Sequence, residues 1–104
     1  MLIELLYTSS CHAYRRAMDE LEAALNEAGL PVKFTMVRID KPEQAKEFKF
    51  AGSPAIHIDG IDVDPKAKEI KNFAVVACRP YYWEGKSYDW PPKAMIAEVL
   101  KKLL

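Results

Sequence analysis

The sequence predicts a three-layer α/β domain with the order β-α-β-α-β-β-α, and three observations carry that expectation. A strand-like run from Leu2 to Tyr7 precedes an amphipathic stretch and a second strand-like run from Val32 to Ile39, the pattern of a βαβ unit. A third strand is bounded by Ser53-Pro54 at its start and by the turn signal Asp59-Gly60 at its end. The chain closes between Pro91 and Leu104 on a second apolar helical stripe.

Each element has its own local reason. After Cys11, apolar residues recur at Tyr14, Ala17, Met18, Leu21, Ala24, Leu25 and Ala28, the three-and-four spacing of one buried helix face. Gly29 and Pro31 stop that helix, and the β-branched and aromatic residues up to Ile39 suit a strand. A short helix is expected from Pro42 to Lys49, with proline near its first turn, where a missing N–H costs little. Residues 61 to 72 are mixed, charged and without clean periodicity, so they read as a loop, either plain or carrying one helical turn. The fourth strand is expected from Phe73 to Tyr82, because Phe73-Ala74-Val75-Val76-Ala77-Cys78 is apolar on both faces. In the last helix, Met95, Ile96, Val99, Leu100 and Leu103 form the stripe, and Lys101 and Lys102 sit at the end that favours cations. Two helices would cover one sheet face and the shorter helix the other.

The bulk properties narrow the function. A chain of 104 residues fits one domain, residues 1–104, and can bury a single core without staples. Half of it is hydrophobic, and 15 basic side chains balance 15 acidic ones, so no net field draws it to nucleic acid or a membrane surface. No run approaches the roughly 20 apolar residues of a membrane span, and the first residues do not read as a signal peptide. A cytoplasmic location is the expectation. Two cysteines, Cys11 and Cys78, are too few for a secreted disulfide framework; in a reducing compartment such a pair is catalytic, metal-binding or simply buried.

Cys11 stands where the first strand hands over to the first helix. Unpartnered first-turn amides and the helix dipole favour a thiolate there, which points to a nucleophilic or metal-binding thiol. A free cysteine in that place also serves as a small buried apolar residue, and position alone leaves both readings open.

The order of elements, the cysteine after the first strand and the Ser53-Pro54 pair opening the third together resemble the thioredoxin-like fold over nearly the whole chain. The resemblance implies a four-stranded mixed sheet and a cis-proline facing the active-site cysteine. Ser53-Pro54 is therefore expected to be cis, X-Pro being the only bond with an appreciable cis population. Where thioredoxin has Cys-x-x-Cys, this chain reads Cys11-His12-Ala13-Tyr14, so the usual second thiol for releasing a mixed disulfide is missing. The Cys-x-x-Tyr segment, the Ser-Pro-x-Ile-x-x-Asp-Gly strand and the Cys78-Arg79-Pro80-Tyr81 segment resemble a group of small prokaryotic thioredoxin-like proteins, whose recurring cysteines imply a redox or soft-metal role. In that topology the end of the fourth strand carrying Cys78 points toward the site, which makes Cys78 a candidate resolving thiol. Two strand spacings of about 4.8 Å each would separate it from Cys11, whereas disulfide Cα atoms rarely lie beyond about 7 Å. Cys78 as a core thiol is then the simpler expectation.

Other residues divide the same way. Tyr14 either hydrogen-bonds a substrate or packs under the helix. His12 is expected to point outward, and His57 to be a satisfied core or rim histidine. Arg79, beside Cys78, could attract an anionic group such as a glutathione carboxylate, whereas Arg15 and Arg16 read as solvated. Asp59 to Asp64 looks faintly like a calcium loop but lacks the glycine and closing glutamate, so the turn reading wins. The aromatic group Tyr81, Tyr82, Trp83, Tyr88 and Trp90 is either a partner surface or a loop folded over the core.

The resulting expectation is a thiol-disulfide oxidoreductase-like protein with Cys11 as nucleophile, Pro54 shaping the site, Cys78 resolving, and Ser53, Tyr14 and Arg79 around the substrate. No cofactor and no metal are implied, and the partner would be a disulfide-containing protein or a small thiol. The alternative is a non-catalytic module that holds a soft metal, a metalloid or a protein partner.

Overall fold

The structure, a computed structural model, describes residues 1–104 and is α/β, with a four-stranded mixed sheet and three α-helices. Strand β1 (Ile3–Tyr7) leads through helix α1 (Tyr14–Glu27) to β2 (Thr35–Arg38), then through α2 (Pro42–Phe48) to β3 (Ala55–Ile58) and β4 (Ile61–Asp62). A 3₁₀ turn (Pro65–Glu69), a separate hairpin of β5 (Tyr81–Trp83) and β6 (Lys86–Tyr88), and α3 (Lys93–Leu103) complete it. The sheet order is β2-β1-β3-β4, with β1 parallel to β2 and β3 antiparallel to both β1 and β4. No helix is long and apolar enough to cross a membrane.

Strand alternation builds the layers. On one face Leu5, Ile56 and Ile58 pack with Leu21 and Leu25 of α1 and Met95, Ile96 and Leu100 of α3. On the other, Leu6 and Ala55 pack with Ile39, Ala45 and Phe50 around α2. Two helices therefore cover one face and one the other, as the apolar stripes predict. Each buried Leu or Ile contributes about 1.5–3 kcal/mol, so these interleaved faces are the main source of rigidity behind the site.

Three expectations are corrected. Helix α1 begins at Tyr14 and not directly after Cys11, because residues 9–10 and 12–13 turn first and the Cys11 N–H bonds back to the Thr8 carbonyl at 3.4 Å. The fourth strand of the sheet is Ile61–Asp62, inside the segment read as a loop, since Asp59-Gly60 makes a tight hairpin that returns the chain at once beside β3. Residues 70–80 form no strand; Ala74 to Cys78 lie exposed, and of the expected strand only Tyr81 and Tyr82 pair, within β5, with β6 across a Glu84-Gly85 turn whose two residues have positive φ of 49° and 77°. Most of the aromatic group does fold over the core: Tyr81 is fully buried, and Trp83, Tyr88 and Trp90 pack against the α1 and α3 side, with only Tyr82 exposed.

Candidate functional site

The site lies where the end of β1, the start of β3 and the irregular 76–79 segment meet. The Ser53-Pro54 bond is cis, as expected. Ser53, fully buried, ties the three pieces together: its Oγ accepts the Thr8 N–H at 3.0 Å, its N–H donates to the Val76 carbonyl at 3.0 Å, and its carbonyl accepts the Arg79 N–H at 3.0 Å. Ala77 and Cys78 are looped out between those two backbone bonds, and Thr8 Oγ1 donates to the Ala77 carbonyl at 3.3 Å.

This bulge delivers Cys78 to Cys11. The Cys78 thiol donates to the Cys11 sulfur at an Sγ–Sγ distance of 3.1 Å, and Cys11 Sγ lies 4.0 Å from the Ser53 carbonyl oxygen. The two sulfurs are about 1 Å further apart than in a disulfide. Cys11 is 4% exposed, whereas Cys78 is open to solvent, so the core-thiol expectation for Cys78 is corrected: leaving the sheet frees its segment to cross over Ser53. The hydrogen bond to Cys11, then partial desolvation and then the charges of Cys11 and Asp89, push the Cys78 thiol above its ordinary value. A cleft of about 330 Å³ opens onto both sulfurs, lined by Cys11, Ala13, Cys78, Arg79, Pro80 and Asp89.

Arg79 is used differently from the expectation. Its guanidinium is buried and forked over Asp62, with Nη1–Oδ2 at 2.7 Å and Nη2–Oδ1 at 3.2 Å, while Nη2 also reaches Asp64 Oδ2 at 3.2 Å. It stacks 4.5 Å from the Tyr81 ring centre, and the Tyr81 hydroxyl donates to the Pro54 carbonyl. These carboxylates are the residues that sequence reasoning missed. Their separations of 17 and 15 residues from Arg79 leave no local signal beyond Asp62 and Asp64 standing two apart after a hairpin turn. The faint calcium-loop pattern is thus a cluster that grips an arginine.

Burial by itself would raise the Asp62 carboxyl, but His57 and the Arg79 fork outweigh it, and the group titrates below its usual range. Burial opposes the Arg79 charge as well, yet the surrounding groups hold it above its ordinary value. A carboxyl depressed in the folded state adds stability above its unfolded value, and that stability is lost as pH falls through the folded one. Thermal unfolding temperature is therefore expected to hold steady above about pH 4 and to fall below it. Asp62→Asn should flatten part of that acid limb and cost about 3 kcal/mol at neutral pH, readable by denaturant titration across the pH range.

The remaining candidates fall outside the cleft. Tyr14 stacks on Tyr7, with ring centres 4.7 Å apart, and packs against the core, the plainer of its two readings. His12 is exposed, as is Arg16, which lies over Trp90 at 5.0 Å. His57 is buried, but its Nε2 has no hydrogen-bond partner and sits 3.5 Å from Asp62 Oδ2, so it is a core histidine without the expected satisfaction. No group of three or more His, Cys, Asp or Glu side chains is arranged to hold a metal ion.

A comparison with protein families matches residues 7–99 to the family described as "Domain of unknown function (DUF2703)". Neither the curated proteins nor the solved structures compared with the chain give a match. The matched span runs from the end of β1 into α3 and takes in Cys11, Ser53-Pro54, Cys78, Arg79 and both carboxylates, and on that extent the chain belongs to the DUF2703 family.

Proposed function

We propose that this chain is a thiol-disulfide redox protein on a thioredoxin-like scaffold, with Cys11 and Cys78 as its exchanging pair. The observation that carries the reading is the 3.1 Å contact between two free sulfurs that lie 67 residues apart in sequence, at the mouth of a cleft and beside a cis-proline. The β2-β1-β3-β4 order and the helices on both faces support the scaffold. The pair stands in for the Cys-x-x-Cys that residues 11–14 lack.

The unequal exposure of the sulfurs argues for an order of attack opposite to the one the sequence suggests. Exchange depends on access, and Cys78 is the sulfur that a substrate reaches. Because the Cys78 thiol is held above its ordinary value, it reacts through the minor fraction that has lost its proton, and access rather than acidity selects it as the first nucleophile. The Cys78 thiolate attacks one sulfur of a substrate disulfide, forming a mixed disulfide and expelling the first substrate thiolate. The Cys11 thiolate then attacks Cys78 Sγ, the mixed bond breaks, and the second substrate thiolate leaves. The protein is oxidised to the Cys11–Cys78 disulfide, the substrate is reduced by two electrons, and the two protein protons end on the substrate thiols. A small thiol such as glutathione reverses the sequence and regenerates the dithiol.

A soft-metal module fits the geometry less well. With metal–sulfur bonds of about 2.3 Å, two thiolates spanned by one ion sit roughly 3.8 Å apart at a tetrahedral angle and further apart when collinear. The sulfurs here would have to separate. Single-turnover reaction of the reduced chain with glutathione disulfide tests the proposal: two glutathione thiols released per chain support it, and Cys78→Ser should release at most one, slowly. A native chain that releases none, yet takes up one soft ion such as Zn²⁺ per molecule, would favour the module.

A further inference from the structure

Between Pro65 and Pro80 the chain buries one side chain, that of Arg79. Cys78 precedes it directly. From Lys71 to Cys78 the segment has no helix or strand, and apart from the half-buried Phe73 it is exposed. The bonds from Ser53, Thr8 and the Arg79 N–H hold its backbone, but each such bond adds only about 1 kcal/mol net. They do not by themselves explain a thiol presented within about 1 Å of bonding distance.

The Arg79 side chain supplies what is missing. Three guanidinium–carboxylate contacts of 2.7–3.2 Å fasten it to β4 and to the residue two beyond. A bidentate fork fixes direction as well as distance. Its aliphatic stem lies so close to Gly52 that a Cβ there would stand 2.8 Å from Arg79 Cβ. Its ring-stacked face rests on Tyr81, whose hydroxyl is itself bonded to Pro54. Apart from the Thr8 hydroxyl on the Ala77 carbonyl, the fixed points of the Cys78 segment run through Arg79 or through Ser53-Pro54.

We propose that Arg79 is the positioning residue of the redox pair: by gripping Asp62 and Asp64 it fixes the approach of Cys78 to Cys11 and so sets how strongly the pair favours the disulfide. This assignment rests on the redox reading above. The guanidinium touches neither sulfur and takes no part in the exchange. It raises the effective concentration of one thiol at the other, which is the quantity that governs the equilibrium in which dithiol chain and glutathione disulfide become disulfide chain and two glutathione thiols.

The test is that equilibrium, read by acid quench and mass spectrometry over a range of glutathione ratios. The native chain should pass from dithiol to internal disulfide. In Arg79→Gln the equilibrium constant should fall at least tenfold, with a glutathione adduct accumulating on Cys78 in place of the internal bond. Asp64→Asn, which keeps an acceptor for the Lys66 N–H but removes one carboxylate, should lower it about threefold and serves alone if Arg79→Gln does not fold. Val99→Ala on α3, a destabilised control away from the site, should leave the constant unchanged. Constants for the Arg79 or Asp64 variants within twofold of native, or no lower than that of the Val99 control, would overturn the assignment while leaving the redox reading intact. A native chain that never forms the internal disulfide would overturn both.

Discussion

Cys11→Ser is expected to stop the exchange halfway. The exposed Cys78 still meets a disulfide, so one glutathione thiol is released and one glutathionyl group remains on Cys78. Serine cannot resolve it, and turnover falls by on the order of 100-fold or more, because only dilute external thiol can replace an attacking sulfur 3.1 Å away. Cys78→Ser should behave differently, leaving a thiol that is 4% exposed and forms the adduct slowly. The contrast discriminates the order of attack: a stable adduct on Cys78 in the Cys11 variant supports Cys78 as the first nucleophile. Rapid adduct formation on Cys11 in the Cys78 variant, with none in the Cys11 variant, would restore the order that the sequence suggests.

Gly52→Ala carries the largest expected effect on stability. Gly52 has φ +134°, a conformation that side-chain-bearing residues rarely adopt, and its added Cβ would meet Arg79 Cβ at 2.8 Å and Cδ at 3.2 Å. Neither can yield cheaply, since the first atom is fixed to the backbone and the guanidinium beyond is fastened to two carboxylates. Backbone strain of about 1–3 kcal/mol and displacement of a buried ion pair together predict a loss of about 3–4 kcal/mol in denaturant unfolding. Formation of the internal disulfide should weaken with it, because any shift of Arg79 carries Cys78 along. A Gly52→Ala chain as stable as the native one would show that the close packing is not structural.

The contrast between what was legible and what was not follows from range. Helices α1 and α3 announce themselves through apolar stripes of three and four, β1 through a short apolar run before Thr8-Ser9-Ser10, and β2 and β3 through runs bounded by Gly, Pro or an Asp-Gly turn. The cis Ser53-Pro54 bond was legible from its place before β3. Strand β4 was not, because two residues, Ile61 and Asp62, cannot show a period. The apolar run from Phe73 to Cys78 misleads for a related reason: its composition suits a buried strand, but β4 already occupies the place beside β3, and the run is left unpaired at the surface. Paired in the sheet beside β3, that segment would hold Cys78 two strands away from Cys11. Freed from it, the segment folds back onto Ser53, and the two sulfurs meet. Arg79 was legible as a residue of interest but not in its role, since the carboxylates that capture it lie far back along the chain.

If Cys11 and Cys78 form one redox pair, the covalent state of the chain after exposure to glutathione disulfide reveals it. In a 67-residue separation the internal bond should also stabilise the fold by about 4 kcal/mol in the chain-entropy view, but connectivity is the sharper readout. Peptide mapping without reduction is predicted to find the segments containing Cys11 and Cys78 joined in one molecule, with two hydrogens lost and the link removed by dithiothreitol. Recovery of the two segments as separate free thiols or separate glutathione adducts, at every ratio of glutathione disulfide to glutathione, would mean that Cys11 and Cys78 are not a redox pair.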